Sequence, residues 1–292
     1  MTDSRSPRIL FIGGGNMAAA MIGGLVGSSG TTRLDRGPGD GSSLDAADRP
    51  RVTVIEPDAQ ARASLEQRFG VATEAAPQAS LVADALVLAV KPQVAATALA
   101  QARPLLAANA DAVLVSIAAG TTLAAIRAAS GGHRSIVRAM PNTPALIGQG
   151  VTGLYVPDGT AAPLAALAER IVASTGTVVR LHDEAALDAV TAVSGSGPAY
   201  VFYLIEAMIK GARAEGLADA DARELVLATV RGAALLAEAS DEPADVLRRR
   251  VTSPNGTTAA AIAEFDRRGV MEAIVAAIGA ARRRSEELGA SS

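Results

Sequence analysis

Over the first 180 positions, apolar residues come in short uninterrupted blocks, each followed by a stretch with helical spacing. Arg8–Ile12, Val52–Ile55 and Ala85–Val90 read as strands, and their lack of polar alternation marks strands covered on both faces. Ala112–Ile117 and Ser135–Ala139 read the same way, with Leu123–Ala129 as the helix between them. Asn16–Val26 has helical spacing, Asp58 is placed to cap a second helix, and Pro92 suits the first turn of a third. A short strand is placed at Val71. Val151–Val156 and Thr177–Leu181 extend the sheet around a helix at Ala162–Ser174. Such alternation implies a parallel, doubly wound α/β sheet with right-handed crossovers.

After Leu181 the pattern turns helical, with segments at 184–193, 199–216, 220–239, 243–251, 258–268 and 270–288. Breaks fall at Gly195, Gly197-Pro198, Gly216, Pro243, Pro254-Asn255-Gly256 and Gly269. The domain boundary is placed near His182. Residues 1–181 form the sheet domain and 182–292 an all-helical C-terminal domain. Ser28–Arg51, rich in Gly, Ser, Asp and Arg, reads as a loop insertion between the first helix and the second strand. No apolar run approaches the roughly 18–20 residues of a membrane span. Ile9–Ile12 is too short for a signal-peptide core. The expected location is the cytoplasm, with no membrane partner.

Composition narrows the chemistry. The 292 residues include no cysteine, no tryptophan, two histidines (His133 and His182) and two lysines (Lys91 and Lys210). That excludes a thiolate nucleophile, a disulfide scaffold and a cysteine-ligated metal. Two histidines on separate segments offer no metal site. A net charge of −3 argues against a nucleic-acid partner. An enzyme this short of nucleophiles draws its reactivity from a cofactor.

The glycine-rich turn supplies a place for one. Gly13-Gly14-Gly15-Asn16-Met17-Ala18 follows a predicted strand ending at Ile12 and opens a predicted helix, as dinucleotide binding requires. Gly13 permits the turn, Gly15 lets a pyrophosphate approach the backbone, and the helix start offers N–H groups to the phosphates. Glu56 ends the second strand. A carboxylate there hydrogen-bonds a ribose 2′-hydroxyl and repels a 2′-phosphate; alternatively, Glu56-Pro57-Asp58 is only a helix-start sequence. Three more strand ends face the same side: Val90-Lys91-Pro92, Ala118-Ala119-Gly120, and Asn142 within Arg138–Pro144. Lys91 is read as a cofactor or carboxylate contact against the alternative of a solvated lysine. Asn142 can offer its amide to cofactor or substrate. His133 reads as a loop residue, and His182 as a hinge or cap rather than a catalyst.

In the helical half, Ser194–Tyr200 reads as a helix entry with close packing. Tyr200 and Tyr203 read as core or interface residues. Thr252–Thr258 is different: it gathers four hydroxyls and a run of N–H groups leading into a helix, a carboxylate site in the making. Ser253, Asn255, Gly256, Thr257 and Thr258 are its candidate substrate contacts.

These motifs, taken in order, resemble the pyrroline-5-carboxylate reductases over almost the whole chain. The carriers are Phe11–Met17, Ala89–Pro92, Ser116–Gly120, Arg138–Pro144, Ala192–Tyr200 and Val251–Thr258. The resemblance implies a Rossmann-like domain followed by a helical dimerisation domain, and hydride transfer from NADPH or NADH to 1-pyrroline-5-carboxylate, giving L-proline. It implies a homodimer that assembles further into a decamer of five dimers. It also implies that the Ser253–Thr258 loop, contributed by the partner subunit, holds the substrate carboxylate, with Thr258 near the ring nitrogen as the one catalytic candidate. Asn255 stands where the family usually has glycine. The 28–51 insertion and Glu56 bear on the family's frequent NADPH preference. Two rivals remain at this point. A β-hydroxyacid dehydrogenase needs a lysine acid/base on the helical domain, and Lys210 lacks the expected glycine-rich lead-in. A non-catalytic dinucleotide-binding regulator has no use for the hydroxyl-rich loop.

Overall fold

Four strand ends lie in one row: Ile55, Ile12, Leu88 and Ser116 are successive partners across neighbouring strands, and the next strand, which passes through the row at Arg138, ends two residues beyond it at Met140. The computed structural model describes residues 6–27 and 49–290; most of the 28–51 insertion lies outside the described residues. The strands are β1 (Arg8–Ile12), β2 (Arg51–Ile55), β3 (Ala72–Glu74), β4 (Ala85–Leu88), β5 (Val113–Ser116), β6 (Ile136–Met140), β7 (Gly150–Tyr155) and β8 (Gly176–Leu181). Their order in the sheet is β3-β2-β1-β4-β5-β6-β7-β8. The order reverses between β1 and β4, which is where open α/β sheets bind ligands.

Alternate strand residues serve two cores. Ile9, Phe11, Val54, Val87, Val115 and Val137 pack on one face under α1 (Asn16–Val26). Leu10, Ile12, Leu86, Leu88, Leu114 and Ile136 pack on the other. The remaining helices of this half are α2 (Ala59–Phe69), α3 (Pro92–Gln101), α4 (Arg103–Ala108), α5 (Leu123–Ala129), α6 (Ala162–Ala173) and α7 (Ala186–Val190).

The sheet corrects the sequence reading in one respect: it is not wholly parallel. β7 runs antiparallel to β6. Only a 3₁₀ turn, Thr143–Ile147, joins them. A parallel return needs a crossover of about a dozen residues or more, so the short connection forces reversal. A second correction concerns the break at Gly195 and Gly197-Pro198. A π-helical turn, Thr191–Gly195, runs from α7 almost directly into α8 (Gly197–Ala214). The Ser196 N–H donates to Thr191 O at 2.9 Å, the i→i+5 bond that defines such a turn. Pro198 is tolerated because the first helical turn has no partner for its missing N–H.

By packing, the described residues form two units: 6–27, 49–196 and 281–290 in one, and 197–280 in the other. The last strand ends at Leu181, where the sequence boundary was drawn, yet the following fifteen residues and the chain's last turns pack with the sheet. The second unit holds α8, α9 (Asp219–Glu238), α10 (Ala244–Arg250), α11 (Thr257–Arg267) and the start of α12 (Val270–Ala290). Among its residues only Ala222 and Val226 are buried, while Phe202 and Tyr203 are 64% and 77% exposed. Tyr203 is therefore not a core residue of its own chain. No described helix is long and apolar enough to cross a membrane.

Candidate active site

Two kinds of helix start occur in this chain. The Asp58 carboxylate caps α2 by accepting from the Ala61 N–H at 2.7 Å, and Thr122 Oγ1 caps α5 by accepting from Ala125 at 3.2 Å. The N-caps of α1 and α11 are Gly15 and Gly256, which supply no side-chain acceptor, and neither helix has an acidic residue in its first turn. Those N-terminal N–H groups are left for something else.

At α1 the geometry fits a pyrophosphate. Gly13 has φ +102°, and an added Cβ would lie 2.6 Å from Ala89 O, so no other residue makes this turn. A Cβ at Gly15 would meet nothing within 4 Å, so backbone there faces open space. Gly15 and Asn16 are exposed, Gly14 and Met17 half-buried, and Ile12 and Gly13 buried.

Glu56 steps off β2 beside this turn. Its Oε2 accepts from the Gly14 N–H at 2.9 Å, and its Oε1 from the Asp58 N–H at 3.0 Å. The carboxylate is thus fixed against the glycine turn and also steadies the start of α2. Arg62 Nη1 donates to Glu56 O and Pro57 O at 2.8 Å, stiffening the same corner.

Val90, Lys91 and Pro92 leave β4 next to Gly13. Lys91 is exposed at the start of α3, its carbonyl accepting from the Val94 N–H at 3.0 Å and its side chain making no capping bond. Ala118, Ala119 and Gly120 follow β5, and Gly120 has φ +72°. Beside them Thr121 is 5% exposed, and its Oγ1 has no protein partner.

The Asn142 side chain is bonded within the chain. Its Nδ2 donates to Ser194 O at 3.3 Å and Ser194 Oγ at 3.2 Å, and its Oδ1 accepts from the Val151 N–H at 2.9 Å. The amide ties the loop after β6 to the π turn. A pair missed in the sequence joins that region: buried Arg138 donates to Glu184 Oε1 at 2.6 Å, which also accepts from the Leu123 N–H at 2.7 Å. His133 is buried with a ring nitrogen 2.8 Å from Ala112 O, and His182 is exposed.

In the helical unit, Ser253–Gly256 forms a turn closed by the Gly256 N–H donating to Ser253 O at 3.0 Å. Asn255 has φ +58°, the one left-handed non-glycine among the described residues. Asparagine tolerates this region better than most other non-glycine residues. Thr252 Oγ1 donates to Arg248 O at 2.6 Å. Ser253 and Thr257 are exposed and Thr258 half-exposed at the uncapped start of α11. Among the described residues no cluster of His, Asp and Glu could hold a metal ion.

A family model for pyrroline-5-carboxylate reductase dimerisation matches residues 184–288, and one described as NADP oxidoreductase, coenzyme F420-dependent, matches 8–120. The chain is 43% identical to a pyrroline-5-carboxylate reductase of Pseudomonas aeruginosa over 97% of each. The chain belongs to the pyrroline-5-carboxylate reductase family. A solved family member from Coxiella burnetii superposes with a TM-score of 0.83 at 32% identity, covering 97% of this chain and 99% of that one. A Plasmodium falciparum pyrroline carboxylate reductase with NADP bound superposes with 0.78 at 25% identity, covering 97% and 98%. As in the family, the helical unit is a dimerisation domain, which accounts for its exposed apolar face.

Proposed function

We propose that this protein reduces 1-pyrroline-5-carboxylate to L-proline with NADPH or NADH, the last step of proline biosynthesis. The observation that carries the reading is the presence, in one chain of this family, of a glycine turn at the sheet's switch point and a hydroxyl-rich turn at α11, each opening a helix whose N-cap is a glycine. NAD(P)H, when bound, supplies the hydride. The chain's own residues hold the reactants. Gly13–Met17 and the start of α1 hold the pyrophosphate, and Val90–Pro92 and Ala118–Gly120 wall the nicotinamide end. Ser253, Asn255, Gly256 and Thr257 hold the substrate carboxylate through N–H groups and hydroxyls. A cyclic imine is already electrophilic at C5, so orientation does most of the work. With the imine nitrogen protonated from solvent beforehand, C5 gains the hydride as its new C–H bond and the C=N π electrons become the lone pair of the N–H amine. The Thr258 hydroxyl hydrogen-bonds that nitrogen throughout. In this reading the 253–258 loop completes the partner subunit's site in a homodimer, five dimers form a decamer, and the enzyme works in the cytoplasm.

Steady-state turnover with NADH and NADPH tests the reading. We expect Thr258→Ala to lower kcat/KM by about 10- to 100-fold, the equivalent of about 1.4–2.8 kcal/mol, and Thr258→Ser to retain most activity. Full activity in Thr258→Ala removes its role; no turnover of the imine by the native enzyme overturns the function. Glu56, fixed by Gly14 and Asp58, has lone pairs left for a ribose 2′-hydroxyl and presents a charge that repels a 2′-phosphate. NADH should therefore be preferred, and Glu56→Gln should narrow the difference. A strong NADPH preference sinks this contact.

A further inference from the structure

The final helix does not end free of the sheet unit: from Ala281 onward, α12 packs with it. Ser285 is 6% exposed, and its hydroxyl donates to Asp188 Oδ1 at 2.6 Å across 97 residues of chain. Asp188 lies in the first turn of α7. One turn beyond Ser285, the helix reaches the loop that follows β5. A Cβ added to Gly289 would lie 2.9 Å from Gly120 O, and one added to Gly120 would lie 3.5 Å from Gly289 N and 3.6 Å from Leu288 Cβ. The contact at Gly289 is with backbone, so a larger residue cannot be accommodated by turning a side chain aside.

The loop is held more by packing than by its own hydrogen bonds: Ala118, Gly120 and Thr121 are buried. Its local bonds are long: Ala118 N–H to Ser116 Oγ at 3.3 Å and Thr121 N–H to Ala118 O at 3.3 Å, near the limit of useful geometry. Thr121 adds no side-chain bond. With few internal restraints, the loop's position depends on what packs over it.

We propose that the last turns of α12 are a strap that sets the position of the Ala118–Gly120 loop, latched by the Ser285–Asp188 hydrogen bond. Asp188, Ser285 and Gly289 are then positioning residues for the dinucleotide. They act through the loop rather than by touching the cofactor. The proposal rests on the reading of that loop as a wall of the cofactor site.

The test is the dissociation constant of NADH and of NADPH, measured by nucleotide fluorescence on the purified oligomer, alongside kcat, KM for the imine, and hydrogen exchange at residues 118–121. Ser285→Ala and Asp188→Ala should weaken cofactor binding about three- to tenfold, less than the full value of a hydrogen bond to a charged group because the loss reaches the cofactor only through the loop. They should speed exchange in the loop and leave KM for the imine unchanged. Gly289→Val should weaken binding further. Asp188→Asn keeps an oxygen that accepts from the Ser285 hydroxyl and should restore native affinity. Gly120→Ala, which strains the loop directly, separates the two ideas. If it weakens cofactor binding while Ser285→Ala, Asp188→Ala and Gly289→Val do not, the strap is overturned and the loop reading stands. If Gly120→Ala leaves affinity unchanged, the loop does not wall the site and the strap falls with that reading. Equal loss of affinity and thermal stability in every variant, Asp188→Asn included, makes the contact merely structural and also overturns the proposal.

Discussion

The two units of this chain bury their apolar residues in opposite ways. In the sheet unit β4 and β5 are buried at every position, and both faces of the sheet are closed by residues of the same chain. In the helical unit α8, α10 and α11 contain no buried residue. Phe202, Ile205 and Ile209 line a groove along α8, edged by the Glu206–Lys210 ion pair and Arg213. The sheet unit is complete as a single chain. The helical unit is completed only by the second copy that its family domain implies. The first carries the cofactor turn, the second the hydroxyl-rich loop, so self-sufficiency and dependence on a partner divide along the same line as the two halves of the proposed site.

Charge placed in the α8 groove gives the largest break of this comparison. Phe202→Glu with Ile205→Glu should shift sedimentation from oligomer to monomer and abolish turnover, because a desolvated, unpaired carboxylate is strongly unfavourable in an apolar interface. Retention of the oligomer would place the interface elsewhere. The cofactor turn belongs to the other unit, so NADH binding should survive in part.

A smaller effect is expected within the sheet. Phe11 is fully buried in β1. Phe11→Ala should cost about 3–5 kcal/mol in urea unfolding through lost burial and the cavity left behind. Oligomer size should not change while the protein remains folded. Dissociation at low urea, before the sheet melts, would show that the two units are coupled more tightly than their burial suggests.

How much of this was legible in the sequence depends on range. The glycine turn, the strands and the Asp58 cap are local signals, each decided within a few residues, and the structure has the helices and strands close to where their spacing placed them. What escaped was set by distant partners. The Asn142 amide is claimed by Ser194, 52 residues on, and Asp188 by Ser285, 97 residues on; no window along the chain contains both members. The reversal of β7 depended on recognising a 3₁₀ turn in Thr143–Ile147, where Pro144 punctuates but does not reveal direction. Asn255 signalled a departure from glycine, but only its φ of +58° shows why the departure is tolerated. The hydroxyl cluster at 252–258 and the N–H groups of the helix start behind it were both visible as chemistry, whereas the N-cap role of Gly256 was not.

Acid should sharpen the comparison by separating the units along the pH axis. In the sheet unit His133 is held below its ordinary value, chiefly by burial and also by nearby Arg127, with the bond to Ala112 O opposing both. The unfolded chain therefore takes up a proton near pH 6.5 that the folded chain refuses, and stability is lost as pH falls through that value toward the folded pKa. In the helical unit the largest shift belongs to Glu264, lowered to about 2 by Arg267 and Arg268 on exposed α11. That contribution stays intact above the ordinary carboxylate range and fades only as pH drops toward 2; being exposed, it is also weakened by salt. Denaturant melts between pH 7 and 5 should thus show a modest decline in the native protein and a shallower one in His133→Gln, which has no proton to accept. Glu264→Gln should leave the slope over that interval unchanged. If His133→Gln keeps the native slope, the imidazole is not what makes the sheet unit acid-sensitive. If Glu264→Gln flattens it instead, the order of titration across the two units is the reverse of the one argued.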